Sequence, residues 1–203
     1  MGPRDLTPLP LPLPPLLTHP PPSPAALQWQ PSREGYARFL AESKVVYECM
    51  EGIVAREPAF ESFRGTGLER SAALAEDLAW WEATFGASPE AAPEGSGSTY
   101  AEYLEALAER DPPAFLCHFY NQYFAHTAGG RMIGNQMSDK LLDGKDLAFY
   151  QWDGDLPAMM AQVKADINRV AEEWSEEQRS TCLEETEKSF KMSGQLLQEI
   201  AKP

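Results

Sequence analysis

Basic residues are scarce in this sequence. The 203 residues include 17 Lys and Arg against 31 Asp and Glu, which gives a formal net charge of -14 at pH 7. A chain with so large an excess of negative charge is repelled by phosphate backbones and by anionic membrane surfaces. We therefore expect no nucleic-acid partner.

Cysteine and long apolar runs are scarce as well. The three cysteines, Cys49, Cys117 and Cys182, lie far apart within helical patterns. This spacing suggests neither a disulfide framework nor a Cys-x-x-Cys metal site, and it favours a reducing compartment. No stretch reaches the roughly 18 consecutive apolar residues that a membrane-spanning helix needs, so no membrane span is predicted.

Strand patterns are missing too. Apolar and polar residues do not alternate over any convincing stretch, and no unit of about 20 to 50 residues repeats. Apolar residues recur instead with the 3.6-residue period of an α-helix. Because a chain of 203 residues can build one large core, the sequence predicts an all-α protein with a single helical domain.

Proline divides the chain into two parts. Residues 1–25 hold most of the 18 prolines, in runs that favour polyproline or disordered chain. The same segment is poor in Ser and Arg, so it gives no clear transit peptide. His19 lies in it without rigid support and is not expected to bind a metal. We predict a proline-rich segment over residues 1–25 and a helical domain over residues 26–203.

Capping residues, glycines and prolines indicate where the helices begin and end. The first two helices are expected from Ser32 to just before Pro58 and from Leu68 to Gly86. The next ones are expected to begin at the capping box Thr99-x-x-Glu102, at Asp111 and, as a short turn, at Ser138. The last two are expected from Met160 to Trp174 and from the capping box Ser175-x-x-Gln178, the latter with an apolar stripe of Cys182, Thr186, Phe190, Leu197 and Ile200.

The segment from Cys117 to Gly134 joins an aromatic helical pattern to a glycine doublet, Gly129 and Gly130. A glycine inside a helix costs about 1 kcal/mol relative to alanine. His126 lies one helical turn earlier and faces the doublet. Two interpretations stay open: a close helix crossing beside a hydrogen-bonded core histidine, or a flat ligand lying across the helix. In the second, a Cβ on either glycine would enter the space of the ligand.

Two kinds of catalytic site are excluded by their motifs. A helical-bundle di-iron centre uses Glu-x-x-His, and no histidine of this chain has Glu three positions earlier. An α/β-hydrolase uses a Gly-x-Ser-x-Gly turn between a strand and a helix, which is missing. A ligand held between helices remains.

Six motifs of this chain, in their order and spacing, closely resemble those of plant and algal heme oxygenases. They are Glu34-Gly-Tyr-x-x-Phe-Leu, Thr66-Gly-Leu-Glu-Arg-Ser71, Cys117-His-Phe-Tyr, Ala125-His-Thr-Ala-Gly-Gly-Arg-Met-Ile-Gly134, Trp152-Asp-Gly and Leu183-Glu-Glu-Thr-Glu-Lys-Ser-Phe190. The resemblance runs from about Ala26 to the C-terminus. It implies the single-domain, all-α heme oxygenase-like fold, with the glycine doublet on the distal helix above the heme.

The resemblance implies an enzyme for which heme is both substrate and cofactor. Family members use O2 and electrons from ferredoxin, in plastids, to cleave heme at the α-meso carbon to biliverdin IXα, CO and iron. His126 would replace the aspartate that holds a proton-delivering water network in animal and bacterial relatives. Gly129 and Gly130 would let the backbone approach the heme, while His118 is expected to be structural.

The resemblance also implies heme contacts. Lys164 and Arg169 are the cations available for the heme propionates, although Asp166 stands where relatives have a basic residue. The alternative is that both cations are solvated residues of the helix surface. Tyr120 is a candidate for hydrogen bonding near the site, and Phe190 is a candidate for contact with the heme.

The resemblance stops at the N-terminus. Family members carry the histidine that ligates the heme iron on a first helix, and this chain has the proline-rich tract there, so His19 is not carried over as the ligand. Either the chain is an incomplete or alternatively spliced heme oxygenase, or it is a non-catalytic tetrapyrrole-binding or regulatory relative. Ferredoxin would need a local basic patch, for which Arg33, Arg38 and Lys44 are candidates. A monomer is expected.

Overall fold

The structure is a computed structural model that describes residues 30–87 and 90–202. Over these residues it is all-α, without strands, as predicted. The α-helices are α1 (Arg33–Arg56), α2 (Ser71–Phe85), α3 (Ser96–Arg110), α4 (Pro112–Ala125), α5 (Arg131–Leu141), α6 (Leu156–Ala171) and α7 (Glu176–Gln198). None of the helices in these two ranges is long and apolar enough to cross a membrane. The proline-rich segment predicted over residues 1–25, with His19, lies outside the described residues.

Helix α1 is central to the core. The Ser32 hydroxyl caps it by accepting a hydrogen bond from the Gly35 N–H at 2.8 Å. The helix ends at Arg56, before Glu57 and Pro58, because a proline disfavours helical backbone in the residue before it. One face of α1 packs against α2, α3 and the 3-10 turn Glu199–Ala201. The predicted first helix is therefore confirmed at both ends.

Other predicted ends are confirmed where the signal is local. Gly86 ends α2 with φ of 92°, a left-handed conformation that glycine adopts easily. The Asp111 carboxylate caps α4 by accepting the Ala114 N–H at 3.2 Å. Ser175 and Gln178 form the complete capping box at the start of α7.

Four predicted starts are wrong. Helix α2 begins at Ser71, not at Leu68, and α6 begins at Leu156, not at Met160. Helix α3 begins at Ser96, not at Thr99, because Glu42 on α1 reaches across and accepts the N–H groups of Ala92 and Gly97 at 2.9 and 2.6 Å. A carboxylate from another helix thus satisfies N–H groups at the start of α3 that a local capping residue would otherwise bond. The turn predicted from Ser138 is part of α5, which continues from α4 through a π-helical segment, His126–Gly130.

Helices α4 and α7 meet at a polar joint. The side chains of Glu185 and Ser189 are fully buried there, whereas Phe190 is only half-buried. The buried face of α7 is thus shifted by about one residue from the predicted apolar stripe, since Glu185, Ser189 and Leu196 are buried in place of Thr186, Phe190 and Leu197. Glu185 accepts hydrogen bonds from Tyr103 at 2.6 Å and Lys188 at 2.6 Å, and lies 2.9 Å from Nε2 of His118.

Glu185→Gln should lower the free energy of unfolding by about 1 to 3 kcal/mol, because hydrogen bonds to a charged, buried acceptor are lost. Burial by itself would raise the pKa of Glu185, but the bonds from Lys188, Tyr103 and His118 outweigh it and lower this pKa. The carboxylate is therefore most stabilising above its unfolded pKa of about 4.3, and its contribution is lost as the pH falls through the lowered folded pKa. Urea unfolding from pH 7 to pH 3 measures both effects.

The exposed neighbour Glu184 offers a matched control. Glu184→Gln should change the free energy of unfolding by less than about 0.5 kcal/mol at any pH. Equal effects of the two substitutions would contradict the assignment of Glu185 to the joint.

Candidate functional site

The glycine doublet closes the π-helical segment between α4 and α5. A π-turn widens the helix by one residue and often marks a functional site. A Cβ built at Gly129 meets nothing within 4 Å, whereas one built at Gly130 would lie 2.5 Å from Nδ1 of His126. The two glycines therefore differ: Gly129 leaves open space beside the helix, and Gly130 makes room for an imidazole. The expectation that both glycines face the ligand stays a prediction, and the structure adds that a side chain at Gly130 would press on His126.

His126 is buried in a cage of aromatic rings. Its Nε2 lies 2.8 Å from the carbonyl oxygen of Phe149, and its ring stacks on the Phe149 ring at 4.0 Å and 22°. A carbonyl oxygen only accepts, so Nε2 carries the proton and Nδ1 has a free lone pair. Burial lowers the pKa of His126 to about 4, against the weaker raising effect of the Phe149 bond. The imidazole is thus neutral near pH 7.

His118 occupies the structural position expected of it. It is fully buried, with Nδ1 2.9 Å from the Tyr100 hydroxyl and Nε2 2.9 Å from Glu185. Both ring nitrogens of His118 are therefore hydrogen-bonded. In His126, Nε2 is bonded to the Phe149 carbonyl and Nδ1 is packed against Gly130. Within the described residues no group of three His, Cys, Asp or Glu side chains is placed to hold a metal. Of the two described histidines, only His126 therefore keeps an unbonded ring nitrogen, Nδ1, and this atom lies beside Gly130.

An aromatic pair lies on α4 before the doublet. The rings of Tyr120 and Phe124 stack at 4.0 Å and 28°, and both are half-buried. The Tyr120 hydroxyl oxygen is buried and has no partner among the described residues. Burial raises the pKa of Tyr120 to about 12, so its proton stays on. Such a hydroxyl suits a ligand or water that brings its own polar atom.

The predicted propionate cations lie on α6. Arg169 is exposed and donates to Asp166 at 2.7 Å and to Ser62 at 3.0 Å. This bond from Arg169 also lowers the pKa of Asp166. Lys164 is half-buried and, within the described ranges, forms no ion pair. Arg169 is therefore already neutralised, while Lys164 keeps its charge available.

The predicted basic patch on α1 is interleaved with acids. Arg33 lies 3.9 Å from Asp143, and Lys44 lies 2.5 Å from Glu48. Arg38, on the same helix, lies 3.9 Å from Glu199. These pairs reduce the positive potential that the three basic residues would present to an acidic protein.

Sequence reasoning missed two buried charged residues that hold the turn to which His126 is bonded. Arg70 donates to the carbonyl of Ala148 at 3.3 Å and to that of Gln151, and it lies over the Trp152 ring at 4.7 Å. Asp77 on α2 accepts the N–H groups of Ala148 and Phe149. The burial of Asp77 could have been predicted from the sequence, because Asp77 falls on the apolar stripe of α2 between Leu74 and Trp81.

Comparison with known proteins shows which family the chain resembles. The heme oxygenase family model matches residues 22–199. Over 175 residues the chain is 50% identical to heme oxygenase 1, chloroplastic, of Arabidopsis thaliana and 44% identical to probable inactive heme oxygenase 2, chloroplastic, of Oryza sativa subsp. japonica, each time with 85% of this chain aligned. The chain spans 61% and 52% of the lengths of these curated relatives.

A solved structure shares the fold. Heme oxygenase-2 from Synechocystis sp. PCC 6803, in complex with heme and NO, superposes with a TM-score of 0.69 over 87% of this chain and 75% of that chain, at 21% identity. The family model, which matches nearly all of the described residues, decides the assignment. This chain belongs to the heme oxygenase family.

Proposed function

We propose that the protein cleaves heme oxidatively at the α-meso carbon, with O2 and electrons from ferredoxin, to give biliverdin IXα, CO and iron. The observation that carries the proposal is the neutral, buried imidazole of His126 next to the uncovered helix backbone at Gly129. A flat apolar ligand can lie close to a helix only where side chains are missing. Controlled oxygen chemistry also needs a group that orients a proton-delivering water molecule, and an imidazole that stays neutral near pH 7 can do so through its lone pair.

Each residue of the site has a separate proposed role. Heme supplies the iron that binds O2 and is itself the molecule oxidised. Gly129 admits the porphyrin to the backbone of the distal helix, and the Tyr120 hydroxyl offers an unused donor on the same helix. His126 holds a lone pair on Nδ1 through which a water molecule can be oriented. Lys164, and Arg169 if it leaves Asp166, would pair with the propionates, and Phe190 would contact the porphyrin.

The partners follow from the relatives. Both curated relatives are named chloroplastic, so we propose a plastid location and ferredoxin as the electron donor. Because Arg33, Arg38 and Lys44 are interleaved with acids, docking of an acidic donor would be weak and sensitive to salt. We propose that the protein acts as a monomer.

A second function is favoured by one observation. The two histidines in the described residues, His118 on α4 and His126 directly after it, both lie on the helical segment proposed to cover the distal face, so neither is placed to ligate iron from the opposite face. A tetrapyrrole-binding or regulatory protein without turnover would need no such ligand, and the rice relative is named probable inactive. The two functions differ in whether an iron ligand comes from outside residues 30–87 and 90–202.

We expect the chain by itself to bind hemin weakly and to make little biliverdin. Fusing the His-bearing first helix of a relative ahead of Gln28 should restore a histidine-ligated Soret band and turnover with reduced ferredoxin. Absorption and resonance Raman spectra measure the ligand, and bilin absorption measures the product. If the unmodified chain already has a histidine ligand, and His19→Ala removes it, the ligand lies in the proline-rich segment instead.

In the fused protein, His126→Ala should keep hemin bound and slow biliverdin formation about a hundredfold or more, because a positioned proton-transfer group is lost. Product formed per bound heme is the measurement. His118→Gln is the matched control, since it changes a buried histidine that takes no part in the site. Unchanged biliverdin formation in His126→Ala would refute the role of His126.

The two glycines should respond differently to alanine. Gly129→Ala has room for its Cβ and should keep or raise the free energy of unfolding while weakening hemin binding. Gly130→Ala would push against His126, which the Phe149 ring holds from the other side, and should lower the free energy of unfolding by about 1 to 3 kcal/mol. Urea unfolding and hemin titration separate the two. Equal destabilisation with hemin affinity unchanged would instead mean that the doublet serves helix packing.

A further inference from the structure

The turn that His126 bonds is held by a buried carboxylate from another helix. One oxygen of Asp77 accepts the Ala148 N–H at 2.8 Å, and the other accepts the Phe149 N–H at 2.7 Å. The Asp77 side chain is 3% exposed. Two consecutive N–H groups on one carboxylate fix the direction of the peptide planes that contain them.

The opposite side of the same turn is held by a cation. Arg70 donates to the carbonyls of Ala148 and Gln151, which lie on either side of Phe149 and Tyr150. The 148–151 turn therefore has two of its N–H groups fixed by Asp77 and two of its carbonyls fixed by Arg70. The carbonyl of Phe149, which lies between these two, is 2.8 Å from Nε2 of His126.

This arrangement selects one form of the neutral imidazole. With the proton on Nε2, the ring donates to the Phe149 carbonyl and directs the Nδ1 lone pair toward Gly130. With the proton on Nδ1, two lone pairs would face each other at 2.8 Å and an N–H would be buried against the glycine backbone. The selection holds only while the Phe149 carbonyl keeps its direction.

We propose that Asp77 is a positioning residue that fixes the proton of His126 on Nε2 through the 148–149 turn, and so keeps Nδ1 as the proton acceptor of the site. The use of that acceptor rests on the function proposed above; the proton's position does not. Asp77 acts on His126 indirectly, because it bonds to the 148–149 turn and does not contact His126.

The ring nitrogens of His126 report the proton directly. In the 15N-labelled chain without heme at pH 7, correlation spectra should show a single Nε2–H form, with an Hε2 resonance that exchanges slowly with solvent. In Asp77→Asn the side chain keeps one acceptor and turns an amide donor toward the second N–H, so Hε2 exchange should accelerate about tenfold or more, the equivalent of one hydrogen bond. The Nδ1–H form should also become detectable.

Asp77→Glu keeps the charge and displaces the carboxylate by one methylene, so it should shift the exchange rate in the same direction by a smaller factor. It also tests the proposal if Asp77→Asn does not fold. His118 is an internal control whose nitrogen shifts should stay unchanged in both variants. Conversely, Glu185→Gln should change the His118 resonances and leave those of His126 in place.

Three results would overturn the proposal: a wild-type His126 with its proton on Nδ1, Hε2 exchange unchanged in the Asp77 variants, or equal changes at His118 and His126. The last would mean general loosening of the core. Because every measurement is made without heme, failure of heme turnover leaves this test intact. A correct proton position in an inactive protein would refute the proposed function alone.

Discussion

The bond between His126 and the Phe149 carbonyl is the interaction on which the site depends. It joins the π-helical segment to the 148–151 turn, two pieces of chain that carry no long apolar stripe of their own. Because the imidazole is buried, losing the bond would leave two polar groups unpaired in the core. That penalty explains why the glycine at position 130 is needed, since only a bare backbone admits the ring at this distance.

The two described histidines show how environment separates a structural imidazole from a candidate catalytic one. Burial lowers the pKa of both, so both are neutral near pH 7. His118 has a partner on each nitrogen, and one of these is the carboxylate of Glu185. His126 has one partner and one lone pair. Only the second arrangement leaves a nitrogen that can exchange a proton with a bound molecule.

The family assignment and the geometry of the site address different questions. The match over residues 22–199 establishes the family, and the named relatives include proteins called chloroplastic and one called probable inactive. The geometry contributes a buried, neutral imidazole whose Nε2 bonds to Phe149 and whose Nδ1 keeps its lone pair. The family is therefore established, while the choice between the two proposed functions rests on where an iron ligand would come from.

The sequence by itself determined the parts of the fold that local chemistry controls. The 3.6-residue period gave the helices, and Ser32, Gly86, Asp111 and Ser175 marked their ends, because each cap is formed within a few residues of chain. The position of His126 relative to the doublet followed from the same period. These features need no distant partner.

Tertiary structure decided the rest, because the groups concerned are far apart in the chain. Helix α3 begins where Glu42 reaches it, across more than fifty positions. The rotation of α7 was set by the polar joint at Glu185. The separate roles of Gly129 and Gly130 depend on how a π-turn directs the backbone, which periodicity cannot express. The role of Asp77 could not be predicted from sequence, because its N–H donors belong to the 148–151 turn, which only the packing of α2 brings close.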